Sequence, residues 1–157
     1  HLRQLFESFG FTEVETFIAS GNVVFGSSSK NPAALEKKIA AGLREALGYD
    51  VATFIRTPAE LTEIANYQAF PQVEFDKAAA LNIAFLAGPL EEEAISRLMA
   101  LQTDIDDFAV HGHEVYWLCR KKQSESTFSN VLLEKTIKQP STLRGINTIR
   151  KMVEKFA

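Results

Sequence analysis

The sequence predicts an α+β fold built from two halves of like plan, and three observations carry that prediction. Short runs rich in β-branched and aromatic residues alternate with stretches of helical periodicity. A similar order of elements occurs twice along the chain. Between the two occurrences, from Asn66 to Lys77, the pattern dissolves into YQAFPQVEFD.

Taken in order, Leu2, Leu5, Phe6 and Phe9 fall at helical spacing and Gly10 follows them, which predicts a first helix with a permissive residue at its end. Val14 to Ala19 and Asn22 to Phe25 read as two strands of a hairpin around Ser20-Gly21. After the polar break at Ser27 to Lys30, Asn31 is placed to cap a helix and Pro32 to open it. Leu35, Ile39, Leu43 and Leu47 then mark one face, and Gly48 closes it. Val51 to Arg56 reads as a strand. Thr57-Pro58-Ala59-Glu60 has the form of a capping box, opening a short helix through about Ala65.

In the second half, Leu81 to Ala87 is apolar enough for a buried strand, and Gly88-Pro89 breaks it. Glu91, Glu92 and Glu93 complement the dipole of a helix carrying Ala94, Ile95, Leu98 and Leu101. Asp106 to Val110 and Glu114 to Cys119 form a second hairpin around His111-Gly112-His113. A helix from about Ser126 to Lys138 and a last one from about Ile146 to Phe156 complete the series. Both halves are pieces of β-α-β-β-α-β, the ferredoxin-like or alpha-beta plait. The expected organisation is therefore two plait-like halves in tandem, residues 1–66 and 80–157, joined by a linker at 67–79. The first half lacks the plait's leading strand, an interior strand of that sheet, so the natural start is expected upstream.

Length and composition fit this picture. The chain has 157 residues, 46% of them apolar and 24% charged, and its twelve Phe favour a well-filled interior. No apolar run approaches the length of a membrane span and no secretory leader is read, so a cytoplasmic protein is expected. The single cysteine, Cys119, excludes an internal disulfide and fits a reducing compartment. Net charge is −3, which argues against coating nucleic acid by bulk electrostatics. The distribution is uneven, however. Residues 1–119 hold 8 Lys or Arg against 17 Asp or Glu, whereas 120–157 hold 9 against 3, an asymmetry that favours an anionic partner near the C-terminal quarter.

Phe-Ile-Ala-Ser-Gly-Asn-Val-Val-Phe at 17–25, the preceding helix end L-x-x-x-F-G-F at 5–11, Glu-Val-Tyr-Trp-Leu at 114–118 and T-L-R-G-I-N-T-I-R-K near the end together resemble the bacterial domain of unknown function 1697 family. The likeness runs over almost the whole chain and implies tandem plait-like halves, with no activity attached. Members usually open with a strand and a turn like L-R-G-I-N-V-G-G, which this chain starts after. Near the C-terminus the family pattern is like T-x-R-N-W-x-T-V; Thr142, Arg144 and Thr148 match it, while Gly145 and Ile146 stand in place of its Asn and Trp.

Among candidate sites, Ser20-Gly21-Asn22 has the residues a tight turn asks for. Ser20 and Asn22 can also line a polar pocket, although Ser20 has no His or acid nearby in sequence to activate it. His111, His113 and Glu114 fall short of a zinc set, Asp104, Asp106 and Asp107 lack calcium-loop spacing, and neither metal nor cofactor is expected. Cys119 shares an alternating face with Val115 and Trp117 and reads as core. Phe17, Phe25, Phe54, Phe85 and Trp117 lie in strands without the RNA-binding plait signature, and also read as core.

The strongest candidate is basic. Arg120-Lys121-Lys122 leads into Ser124, Ser126 and Thr127 at an expected helix start, with Thr142 and Arg144 at the next. The expectation is a site for a small phosphorylated or otherwise anionic ligand. Two other classes stay open: an enzyme acting on a nucleotide-like metabolite beside the Ser20–Asn22 turn, and a structural or protein-interaction module. No catalytic residue and no oligomeric state is assigned.

Overall fold

A computed structural model describes residues 2–17 and 21–156. Among these residues there are seven α-helices and two antiparallel sheets. The chain divides into two compact units, His1–Thr57 and Pro58–Ala157.

The first unit holds α1 (Leu2–Ser8), β1 (Thr12–Phe17), β2 (Asn22–Gly26) and α2 (Pro32–Leu47). Asn31 caps α2 as expected, its Oδ1 accepting from the Ala34 amide at 3.2 Å. Gly48 ends the helix in the left-handed region at φ 82°, and its N–H donates to the Arg44 carbonyl. Leu35, Ile39 and Leu43 turn inward onto Phe6, Phe11 and Val14. Gly42 sits where a Cβ would stand 2.6 Å from the Phe9 ring, so the glycine is what lets helix and ring approach. β1 and β2 pair with Phe17 opposite Asn22, and the register breaks between Thr12 and Glu15, where Glu13 takes a positive φ of 50°.

The strand expected at Val51–Arg56 does not form. A strand exists only where a neighbour supplies a ladder, and the Ile55 amide instead donates to the Glu36 side chain at 2.9 Å. Val51 and Ile55 keep their apolar role and pack on the core of the unit.

The second unit runs α3 (Pro58–Asn66), α4 (Gln72–Asp76), β3 (Ala80–Leu86), α5 (Glu92–Met99), β4 (Asp106–His111), β5 (Glu114–Cys119), α6 (Asn130–Ile137), β6 (Ser141–Gly145) and α7 (Ile146–Phe156). Its sheet has the order β4-β5-β3-β6, all neighbours antiparallel. β6 was not expected from sequence. It is a five-residue edge strand containing Arg and Gly, too short and too polar to announce itself, and it exists because β3 offers it a ladder. The helix expected from Ser126 starts later, at Asn130, with Ser129 as its cap and a 3-10 turn at Gln123–Glu125 before it. Ser126 is drawn away from capping by a buried carboxylate, as described below.

The alternation of side chains assigns the two faces of this sheet. Ala84, Leu86, Phe108, Val115, Trp117 and Cys119 point to one, where α5 and α6 bring Ala94, Leu98, Leu133 and Ile137. Ile83, Phe85, Tyr116 and Leu118 point to the other. There the buried Tyr116 hydroxyl donates to the Ile64 carbonyl of α3 at 3.2 Å, and α3 packs against α7. Every residue of β5 is buried, because both faces of the sheet are covered.

Candidate functional site

The strand register brings two segments to one end of the sheet. Cys119, the last residue of β5, pairs with Ala80, and Gly145, the last of β6, pairs with Asn82, so Arg120–Lys122 and the start of α7 both emerge beside the beginning of β3. The helix α4, which leads into β3, ties them together. Arg120 Nε and Nη2 reach Glu74 Oε2 at 3.3 and 3.1 Å, with Asp107 Oδ2 at 3.7 Å. Arg150 of α7 places its guanidinium 5.6 Å from the centre of the Phe75 ring, the next residue of α4.

Two carboxylates therefore offset the Arg120 charge. Lys121 and Lys122, by contrast, are exposed, and among the described residues no carboxylate pairs with either ammonium. With the exposed Arg150, they are cations at this end able to meet an anion.

The hydroxyls expected to converge with them are divided. Ser126 Oγ donates to Asp106, 2.8 Å from either carboxylate oxygen, and accepts from the Phe128 amide. Asp106 is 2% exposed and also accepts from Trp117 Nε1 at 2.9 Å and Thr103 Oγ1 at 3.1 Å, so Ser126 completes a structural network. Ser124 lies exposed in the 3-10 turn and Thr127 exposed after it.

Thr142 and Arg144 stand on β6 and not at a helix start. Thr142 pairs with Phe85, toward the opposite end of the sheet from Cys119. Arg144 Nη1 donates to Thr142 Oγ1 at 2.7 Å and to the Leu143 carbonyl at 2.8 Å. Arg144 shares the Tyr116 face, since both pair with Ile83, and burial there lowers its pKa. At the hairpin of the first unit, Asn22 Nδ2 donates to the Phe17 carbonyl at 3.2 Å. Ser20 lies outside the described residues.

Cys119 is fully buried on the Trp117 face, its thiol donating to the Lys121 carbonyl at 2.9 Å while burial pushes its pKa up. His111 stacks on Tyr67, ring centres 3.8 Å apart and planes within 5°, instead of joining His113 around a metal. Among the described residues no three His, Cys, Asp or Glu gather in a way that could hold a metal ion.

Sequence reasoning missed Arg150 and Asn82 at this end, and the structural role of Asp106. Arg150 was hidden in the polar face of α7. Asp106 is an acid opening a strand whose Trp and Ser partners are distant in sequence. Asn82 is 8% exposed, and its Nδ2 has no acceptor among the described residues. A lone Asn inside the apolar run from Leu81 to Leu86 was the available signal.

A covered four-stranded sheet with an unevenly neutralised basic end defines an α+β protein without a recognisable catalytic constellation among its described residues. Comparison with known proteins places it more closely. A family model described as protein of unknown function (DUF1697) matches residues 1–116, and the chain belongs to that family. A conserved bacterial protein from Streptococcus pneumoniae, SP0830, has a similar solved structure, with a TM-score of 0.74 at 20% identity over 98% of this chain and 85% of that one. At that identity the likeness shows the fold alone. The comparison with curated proteins finds no match.

Proposed function

We propose that this protein binds a small phosphorylated or otherwise anionic ligand at the end of the four-stranded sheet where β5 and β6 finish. The observation that carries the reading is the convergence on α4: Arg120 is held by Glu74 and Arg150 by Phe75, adjacent residues, which draws both basic segments to one place. Arg120 is neutralised there and acts as a strut. Lys121, Lys122 and Arg150 supply the field, because their charges are solvent-facing and an anion can approach them. Arg144, tied to Thr142 and to its own neighbour's carbonyl, shapes the strand beside this end.

The same reading takes residues 80–157 as a plait-like half. Its support is the element order β3-α5-β4-β5-α6-β6 combined with the strand order β4-β5-β3-β6.

The test is calorimetric titration with inorganic phosphate and pyrophosphate at low and at moderate salt. Binding that weakens with salt, and that falls about tenfold in the combined variant Lys121→Ala and Lys122→Ala, is the expected result. Absence of binding to the wild-type protein, or binding indifferent to both lysines, overturns the reading.

A further inference from the structure

The two sides of α7 have different fates. Ile146 and Ile149 are buried, and α3 packs against this helix. Asn147, Arg150, Lys151, Glu154 and Lys155 are exposed and form one stripe, because positions three and four apart share a side of a helix. The stripe holds three cations against one acid. It starts at the sheet end of the proposed anion site, since α7 follows directly on Gly145, the residue of β6 that pairs with Asn82.

Arg150 is placed by an aromatic ring and not by an acid. Glu154 stands four residues on, but an arginine on the N-terminal side of such a pair is the weaker orientation, and the two side chains form no ion pair. The guanidinium lies instead over Phe75, 5.6 Å from the ring centre. This contact fixes the group while leaving its charge intact. Lys155 repeats the arrangement, with Nζ 5.2 Å from the centre of the Phe156 ring. Between them Lys151 is exposed, and no carboxylate among the described residues pairs with it. Arg150 and Lys155 are about 8 Å apart along the helix axis.

We propose that the exposed stripe of α7 extends the anion site into a track for single-stranded nucleic acid, the phosphate attracted by Lys121 and Lys122 being one end of the strand. The proposal rests on the reading given above and names its ligand. A single strand suits a stripe one helix face wide, whereas the net charge of −3 leaves little field for a second backbone. A base can also stack on the outer plane of a guanidinium that Phe75 backs, which a bare phosphate chain or an acidic peptide does not exploit. A lipid surface fits less well, because the apolar side of α7 is already buried in the protein.

The experiment measures fluorescence anisotropy of labelled oligothymidylates of one to about eight nucleotides with the whole protein, over a series of salt concentrations. Pyrophosphate, polyphosphate and polyglutamate serve as competitors. Affinity is expected to rise over the first few nucleotides and to exceed that for pyrophosphate about tenfold. Lys151→Ala is expected to reduce the slope of log affinity against log salt by about 0.7, the value for one phosphate contact on a single strand. Arg150→Lys keeps the charge and loses the planar group, so it is expected to weaken the oligothymidylate about fivefold and polyphosphate less. If pyrophosphate binds in a Lys121- and Lys122-dependent way but longer oligothymidylates bind no tighter, the proposal fails and the anion site stands. If polyphosphate or polyglutamate competes as well as an oligothymidylate of equal charge, the stripe is a general polyanion surface and the nucleic-acid partner is overturned. If neither pyrophosphate nor any oligothymidylate binds, the site reading fails and takes this proposal with it.

Discussion

On one face of the four-stranded sheet, Ala84, Leu86, Val115 and Cys119 meet Leu98, Leu133 and Ile137 in an apolar layer interrupted by the Asp106 network. On the other face, Tyr116 lies under α3 with Arg144 in its row and His111 stacked on Tyr67 at the hairpin. Both faces exclude water, yet they tolerate polar atoms differently. Under α5 and α6 a charge is buried and must be fully surrounded by donors, which Trp117, Ser126 and Thr103 provide. Under α3 and α7 the polar groups are longer side chains that carry their apolar parts inward and place their polar tips on backbone carbonyls. The difference teaches that a covered sheet can bury polar chemistry either as a closed network or as tethered tips, and that the former is the more fragile.

The largest effect is therefore expected from breaking the network. Asp106→Ala leaves the Trp117 indole N–H and two hydroxyls without their acceptor, and chemical denaturation should register a loss of about 3 kcal/mol. A loss below that of a single exposed hydrogen bond would mean that the two faces do not differ in this way.

Removing one tethered tip is expected to cost less. Tyr116→Phe deletes the bond to Ile64 and should lower stability by about 1 kcal/mol near neutral pH. It should also change the alkaline behaviour. Burial, followed by the carboxylate of Glu114, raises the Tyr116 phenol above its ordinary value, so the folded state holds that proton longer than the unfolded chain does. The unfolded state then binds fewer protons, and stability falls as pH climbs past the ordinary tyrosine value of about 10. Cys119, likewise raised by burial, starts the same decline at the ordinary thiol range. Melting curves between neutral pH and pH ~11 should show a shallower decline in Tyr116→Phe than in the wild-type protein; parallel curves would contradict the assignment.

The smallest effect on stability is expected at the exposed end of the sheet. Lys121→Ala with Lys122→Ala should change unfolding free energy by less than about 0.5 kcal/mol, since both side chains are exposed and no carboxylate among the described residues pairs with either. Arg120→Ala is the useful contrast, because its part-buried guanidinium bridges Glu74 and Asp107 and should cost about 1 kcal/mol. Equal losses from the two changes would erase the distinction between strut and free cation.

The elements with strong local signals were legible in sequence. Asn31-Pro32 and Gly48 delimit a helix because cap chemistry acts within a few residues. The alternation in Glu114–Cys119 placed Val115, Trp117 and Cys119 on one face, as found. Reading Tyr116 and Leu118 as also buried required knowing that α3 and α7 cover the second face, and no local signal says so. The basic run at 120–122 was visible, but not its division. Glu74 stands 46 residues from Arg120, and an ion pair over that separation exists only once the strands are paired.

By itself, the sequence determined the periodicities, the Asn31 and Gly48 caps of α2, the two hairpins, the core character of Cys119 and the charge asymmetry toward the C-terminal quarter, because each is a property of neighbours along the chain. Tertiary structure alone decided that Val51–Arg56 stays out of a sheet while Ser141–Gly145 joins one, since a strand is defined by the ladder beside it. It also decided that Ser126 serves Asp106, that Arg120 is neutralised while Lys121 and Lys122 are not, and that Asn82 is buried with a donor to spare. Hydrogen-bond partners and burial are set by distance in space, which distance along the chain does not encode.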